Sequence, residues 1–599
     1  MYSELLPQPR QVNLQQGTCT LSSLTHGSIN NLPDSALELL RADLPDLSLA
    51  SKAGGDFSAI FGCSSDFPPI DAQLSERLPE QEQGFILRAA ADRIEIQGRD
   101  AAGLWYGLQT LVQLRRMSAG PLPAAEIRDW PAIRYRGVHV DLKGYQPRFE
   151  RLLESFRILS HARINVVLLE VEDKYDYACA PGVGVPGAYT AAQFRQLSEL
   201  AHALSIQIVP KLQCLGHVDY LLQHERYHHL REDGHPFQFC PRNEEGMELW
   251  KKMATELCDC FSGHDFFHIG ADETGNLGQC PICREYSKAD SYVHRVQQCI
   301  DAVRQAGREP ILWEDILRNL HGNLDESELE RTWTLGDDAI LMYWAYGYGG
   351  SGNSFPLLPR YLERDMKVWG ASGFSGCGPS WIQNVPPLTE RALNISAWTK
   401  TAVENDLEGV VATGWTRIAS ADPPAESLEA SWFPILYAAE STWVGREREL
   451  LEFCRIASQS LFGADISGLY SRFLLSMEAG DLPAEGVEIE ALRNRERLAL
   501  LRAAAAVAAH DRRRTELQET LQIYHGRWGD RMPDYRLGLV RGRTESFRRS
   551  LSQCRDDLET SLAALYETGT VADVIRSRFG RDAELLAHAE ALLEKTELI

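Results

Sequence analysis

The sequence predicts an α/β protein centred on a (β/α)8 barrel, with a small α+β domain before it and an α-helical region after it. Between residues 129 and 445, eight short apolar runs alternate with amphipathic stretches. That is how parallel strands read when a helix must cover each one. Beyond 445, Gly, Pro and Trp thin out while Leu, Ala, Glu and Arg dominate, the composition of exposed helices. At 599 residues the chain is several times what one core organises. The expected division is therefore 1–128, 129–445 and 446–599. A doubly wound sheet would need a Gly-rich phosphate turn after its first strand, and Asp141-Leu-Lys-Gly-Tyr is not one.

The elements follow in order. Phe85–Ala89 and Arg93–Gln97 alternate with period two, and Asp100 caps a helical pattern from Ala101 to Leu114. A Pro-rich joint at Pro121, Pro123 and Pro131 ends this domain. The expected barrel strands are Tyr135–Val140, Ile164–Leu169, Ile206–Leu212, Phe266–Ile269, Pro310–Trp313, Ile340–Tyr343, Val368–Gly370 and Gly409–Thr413. Helical patterns such as Phe149–Leu159 and Ala191–Leu204 separate them. In the last region Glu488–Ala508 and Arg548–Tyr566 read as amphipathic helices. Those helices either buttress the barrel or form a homodimer contact.

Charge and composition exclude several roles. A net charge of -23 repels phosphate backbones and anionic lipid, so neither nucleic acid nor a membrane surface is expected as a partner. No apolar run of about 18 residues appears, so no spanning helix is expected. Met1-Tyr-Ser-Glu-Leu-Leu-Pro has no charged stretch leading into an apolar one, which points to a cytoplasmic protein. Thirteen Cys then read as reduced thiols. Cys280-Pro-Ile-Cys283, with Cys240, Cys258 and Cys260 upstream, is the one spacing that hints at zinc. Ordinary buried thiols are the simpler reading, and no metal is expected at the catalytic centre.

Barrel enzymes carry their chemistry where strands end. The fourth strand leads into His268-Ile-Gly-Ala-Asp272-Glu273. Two adjacent carboxylates leaving a buried strand repel each other, which favours a catalytic over a structural role. Glu170-Val-Glu172-Asp173 follows the second strand, His217 the third, and Arg136 lies in the first. Arg136 offers a five-donor fork suited to hydroxyl groups. Trp313, Trp344 with Tyr346, Trp369 and Trp415 sit at or near the ends of strands five to eight. An isolated Trp is usually core, but four around one mouth with acids between them read as a sugar-binding pocket.

Phe85…Gly103-Leu-Trp-Tyr-Gly-Leu-Gln-Thr-Leu, Asp129-Trp-Pro…Tyr135-Arg-Gly-Val-His-Val-Asp141 and His268-Ile-Gly-Ala-Asp-Glu273 resemble the signatures of glycoside hydrolase family 20, the β-N-acetylhexosaminidases. Arg136–Gly144, Leu169–Asp173 and Leu215-Gly-His-Val218 are most similar to its hexosaminidase D-like branch. The resemblance covers roughly residues 80–445. It implies an exo-acting enzyme that removes terminal, non-reducing β-linked N-acetylgalactosamine or N-acetylglucosamine from a glycan or glycoconjugate. It also implies retention, substrate assistance and no cofactor. Glu273 becomes the general acid/base, raised in pKa by burial, and Asp272 the group that orients the 2-acetamido. Arg136 would bind O3 and O4, and Trp313, Trp344 and Trp415 would wall the pocket, with Asp173, His217, Tyr346 and Trp369 as further substrate contacts. Chitinases would show an Asp-x-x-Asp-x-Asp-x-Glu strand, and the O-GlcNAc hydrolases Asp-Asp in place of Asp272-Glu273. A carbohydrate-binding barrel without activity would not need both acids.

Departures from the family pattern also stand out. Ala271 replaces a Gly, and Leu142-Lys143-Gly144 occupies the place of an expected Arg. Val368–Phe374 lacks the usual Tyr, for which Tyr346 is the substitute, and Arg417 replaces an acid. The last change leaves the preferred epimer open.

Overall fold

The computed structural model describes residues 2–597 except 68, 119, 321, 323, 348–352, 378–383, 420–421, 467–491 and 529–533, with backbone alone at 524–528, 534–536 and 595–597. The first domain is a seven-stranded sheet of β1 (Gln11–Cys19), β2 (His26–Asn30), β3 (Ser48–Lys52), β4 (Ser58–Gly62), β5 (Phe85–Ala89), β6 (Arg93–Gly98) and β7 (Leu122–Asp129). Its order is β1-β7-β5-β6-β4-β2-β3. The helix Ala101–Met117 is buried from Gly103 to Leu114 because it has a sheet on one side and the barrel on the other. Asp100 caps it by accepting from the Gly103 N–H at 2.8 Å. Gly107 permits the close approach, since a Cβ there would stand 2.4 Å from Ile96. On the other side Trp105 Nε1 donates to Ser160 Oγ at 2.9 Å, on the barrel helix Phe149–His161.

Eight parallel strands close the barrel: β8 (Tyr135–Asp141), β9 (Val166–Glu170), β10 (Gln207–Lys211), β11 (Phe266–His268), β12 (Glu309–Trp313), β13 (Ile340–Trp344), β14 (Val368–Ser375) and β15 (Gly409–Gly414). All eight expected runs are strands. Their ends differ from expectation by at most two residues, except that β14 continues to Ser375. Val166, Leu168, Val209, Ile311, Ile340, Met342 and Val411 fill the interior, as alternation on a barrel wall requires. The other face of each strand packs under the helix layer.

The C-terminal region is helical, as expected, with longer elements. Helices Arg495–Trp528 and Asp534–Ala563 lie antiparallel, tied by His510 Nδ1 and Ser550 Oγ at 2.8 Å. Of the expected helix Glu488–Ala508, residues 488–491 lie outside the described residues. The region docks on the barrel mouth. Arg148 N–H donates to the Leu565 carbonyl at 2.9 Å, Glu567 N–H to the Gln146 carbonyl at 3.0 Å, and Gln146 N–H to Thr570 Oγ1 at 3.0 Å. Arg497 Nε pairs with Glu429 at 2.7 Å. Buttressing is therefore one thing these helices do.

Under the barrel, the first domain joins through a buried ion pair between Arg163 and Asp129, both 0% exposed. Asp129 also accepts from Arg10 N–H at 3.0 Å and Trp443 Nε1 at 3.1 Å, and Arg163 lies 4.3 Å over the Trp443 ring. Removing one partner of a buried pair leaves an uncompensated charge, at about 3–5 kcal/mol. Asp129→Asn should lower unfolding stability by that order, read from chemical denaturation. A variant within about 1 kcal/mol of wild type, the scale of an exposed pair, would show that solvent reaches Arg163.

Candidate active site

After β11 the chain must turn sharply to present two consecutive acids. Gly270, Ala271 and Glu273 have φ values of 69°, 77° and 49°, a left-handed run that costs about 1–3 kcal/mol per non-Gly residue. Gly270 is required, since a Cβ would sit 1.7 Å from Gln213 Oε1. Hydrogen bonds from three neighbouring side chains, Gln213, Asp315 and Tyr292, help to hold the turn. Ala271 N–H donates to Gln213 Oε1 at 3.3 Å, and Gln213 Nε2 donates to Asp272 Oδ1 at 2.9 Å. Glu273 N–H donates to Asp315 Oδ2 at 2.9 Å, and Tyr292 OH to the Ala271 carbonyl at 2.9 Å. Gln213 is itself fixed by Trp250 Nε1, which donates to its carbonyl at 3.1 Å.

His217, left-handed at φ 55°, places Nε2 3.1 Å from Glu273 Oε2 and 3.7 Å from Asp272 Oδ2. The Phe237 ring packs edge-on against it at 4.7 Å. Burial opposes the imidazolium, but Asp272 and the hydrogen bond to Glu273 outweigh it and raise its pKa above the ordinary 6.5. The Glu273 side chain is 38% exposed, so the burial expected for it is not present in the free protein.

Asp272, Glu273 and His217 face a small pocket whose wall is Trp344, Tyr346 and Trp415. Trp344 and Tyr346 stack at 5.4 Å, and Trp415 Nε1 donates to Tyr346 OH at 2.8 Å. Below them lies a buried charge cluster. Lys143 and Lys211 each stand 4.9 Å over the Trp415 ring and reach Glu170 at 3.1 and 2.7 Å. Burial alone would raise Glu170, but the two lysines and the His139 hydrogen bond hold it far below the usual carboxylate range. At the rim, Arg417 pairs with Asp573 of the C-terminal helix Thr568–Phe579.

Several expected contacts take other places. Arg136 is the second residue of β8, at the closed lower end of the barrel. It is 0% exposed and donates to the Arg163, Ile133 and Arg134 carbonyls at 2.9 Å and to Tyr106 OH at 3.2 Å. Its role is to join the domains, and it does not line the pocket. Trp369, second in β14, stacks on Tyr135 at 4.9 Å and meets Phe266 at 5.1 Å, also at the lower end. Asp173 lies in the turn Glu172–Lys174 after β9, paired with Lys174 rather than facing the pocket. Trp313 ends β12 and backs the wall, 5.6 Å from Trp415. Gln213, Asp315 and Lys143 join the site without a motif of their own. All three follow strand ends, the one signal that marks them. Asp573, 156 residues from Arg417, has no sequence signal.

This is a closed (β/α)8 barrel with paired carboxylates in an aromatic-walled pocket, the constellation of a glycoside hydrolase. The chain belongs to glycoside hydrolase family 20. It matches the family's domain 2 over residues 2–130 and its catalytic domain over residues 154–446. Hexosaminidase D of Homo sapiens is 28% identical over 301 residues, covering 47% of this chain and 60% of that protein, so the chain spans less than two thirds of that relative. Flavobacterium johnsoniae chitobiase shares the fold with a TM-score of 0.60 at 16% identity, covering 99% of this chain and 93% of that one. A mutant Streptomyces plicatus beta-hexosaminidase in complex with its product GlcNAc has a TM-score of 0.56 at 16% identity, covering 77% and 95%.

The raised pKa of His217 has a pH signature. A raised group stabilises the fold fully below its unfolded value of about 6.5, and that contribution fades as pH rises through the folded value. The stability difference between wild type and His217→Gln should therefore be largest under mildly acidic conditions and shrink on the alkaline side. Denaturant titrations across pH measure it, and a difference that grows with pH would refute the electrostatic reading.

Proposed function

We propose that the chain is a retaining exo-β-N-acetylhexosaminidase that removes terminal β-linked N-acetylglucosamine or N-acetylgalactosamine, with the substrate's own acetamido oxygen as nucleophile. One observation carries the reading. Among the described residues that line the pocket, the acidic side chains are two chain neighbours, Asp272 and Glu273. An ordinary retaining glycosidase needs two carboxylates about 5–5.5 Å apart flanking the scissile bond, one of them the nucleophile. Here both come from one turn. Family membership supports the same reading, because family 20 is substrate-assisted, and GlcNAc is the product bound by the Streptomyces plicatus relative.

Glu273, protonated, gives its proton to the leaving glycosidic oxygen while the acetamido oxygen closes on C1. The aglycone departs as an alcohol and an oxazolinium ring remains. Asp272, held by Gln213, accepts the acetamido N–H and offsets the positive charge that develops. Glu273, now a carboxylate, takes a proton from water as the water opens the ring at C1. Two inversions give net retention. Trp344 and Trp415 meet the apolar faces of the sugar and of its acetamido methyl. A bound sugar covers Glu273, supplying the burial that the free protein lacks. The Arg417–Asp573 pair at the rim is placed for the outer hydroxyls, where gluco and galacto sugars differ. None of the thirteen cysteines is paired in a disulfide, which supports the further reading of a reducing, cytoplasmic setting.

Chromogenic β-N-acetylglucosaminide and β-N-acetylgalactosaminide should both be tested, with proton NMR of the first product. A β-anomer is expected, and a first-formed α-anomer would overturn the mechanism. The matching 2-hydroxy glycosides should hardly turn over, because they lack the reacting oxygen. Glu273→Gln should lose about 10²–10⁴ in rate on substrates with poor leaving groups, and less on nitrophenyl sugars.

A further inference from the structure

Beside the pocket, outside the catalytic groups, three thiols and a carboxylate converge. Cys240, Cys280, Cys283 and Glu232 place their ligand atoms within 4.8 Å of one another. Cys240 Sγ is 3.4 Å from Cys280 Sγ and 3.5 Å from Cys283 Sγ. We propose that these four residues form a structural zinc site that fastens together the two loops bearing His217 and the catalytic carboxylates.

Donor chemistry and geometry both support zinc. Three sulfurs select a borderline-soft cation over magnesium or calcium, and four protein ligands with no open position make a structural rather than a catalytic site. Tetrahedral ligands at about 2.3 Å place thiolates about 3.8 Å apart. The observed spacings need open by only a few tenths of an ångström. A disulfide requires about 2.05 Å and would leave one thiol and Glu232 without a role. Glu232 is the independent sign of a missing partner. It is 2% exposed, and its Oε1 accepts the Gln279 and Cys280 N–H groups at 2.7 and 3.2 Å. Its Oε2 is buried and accepts no hydrogen bond. Cys283 N–H donates to Cys280 Sγ at 3.2 Å, as backbone donors do where a thiolate is to be stabilised. Cys258 and Cys260 do not join the cluster. Cys260 instead meets Tyr175 OH at 3.4 Å.

The location gives the site its function. Glu232 and Cys240 belong to the loop after β10, where Val218 N–H donates to the Phe237 carbonyl at 3.1 Å and Phe239 N–H to the Leu215 carbonyl at 3.0 Å. His217 lies between those two contacts. Cys280 and Cys283 belong to the loop after β11, which carries Asp272 and Glu273. A shared ion makes the two loops one body, so that His217 keeps its reach to Glu273 without substrate. Binding releases the three thiol protons to solvent.

Metal analysis of the full chain, purified reduced and without chelator, should find roughly one zinc per chain. Replacement by cobalt should give a thiolate-to-metal charge-transfer band in the near ultraviolet. Cys283→Ser should lose both, and a strong chelator should lower the melting temperature of wild type but not of this variant. Should Cys283→Ser fail to fold, Cys280→Ser, at a less buried position, and Glu232→Gln offer the same readouts. The proposal falls if the reduced wild-type chain contains no zinc and gives no thiolate band with added cobalt. It also falls if peptide mapping finds a disulfide among the three cysteines.

Discussion

Consecutive side chains on an extended strand point to opposite faces, so two neighbouring carboxylates can share one pocket only if the backbone turns between them. Much of the site follows from that constraint. The left-handed run through Gly270, Ala271 and Glu273 supplies the turn, and its cost explains why polar partners crowd around it. Gln213 bonds both the backbone before Asp272 and the Asp272 carboxylate, while Asp315 takes the Glu273 N–H. His217 stands within 3.7 Å of both carboxylates, and Asp272 and the hydrogen bond to Glu273 favour its charged form against its burial.

The row beneath the pocket solves a second electrostatic problem by register. Parallel pairing sets Asp141 beside Glu170 and Glu170 beside Lys211 across β8, β9 and β10. Two carboxylates therefore stand side by side, and cations must flank them: Lys211 on the far side of Glu170, and Lys143 within reach of both acids. Lys143, arriving from the loop after β8, adds the second cation, and its pKa is raised because Asp141 and Glu170 outweigh the burial that would lower it. Two cations and two anions leave this layer neutral. The Trp415 indole above it can then rest on ammonium groups without imposing a net charge on the pocket.

The barrel was legible because buried parallel strands must be apolar and short, and their covering helices amphipathic. The same logic located Asp272, Glu273 and His217, whose positions after strand ends define a barrel mouth. Arg136 and Trp369 lie away from the mouth because position along the strand, not residue type, decides which end of the barrel a side chain reaches. Each is the second residue of its strand, and a barrel interior has a closed end as well as an open one. Trp344 and Trp415, at or just beyond the ends of β13 and β15, face the pocket by the same rule. Glu232 was illegible for another reason. Its partner Cys280 lies 48 residues away, and a lone loop glutamate has no spacing to betray it.

The C-terminal helices raise a question of economy, since the barrel is closed without them. Their contacts concentrate on the loops after β8 and β15: Gln146 and Arg148 on one side, Arg417 and Ala425 on the other. Those loops also carry Lys143 and Trp415. An exposed Arg at position 417 would be free to swing over the pocket. Asp573 instead holds it at the rim. The acid that the family pattern carries on the barrel loop is thus matched by an acid from another region, and the geometry of the rim depends on how that region docks. Substitutions on the helix Thr568–Phe579 can therefore alter the rim of the pocket without any residue of the barrel changing.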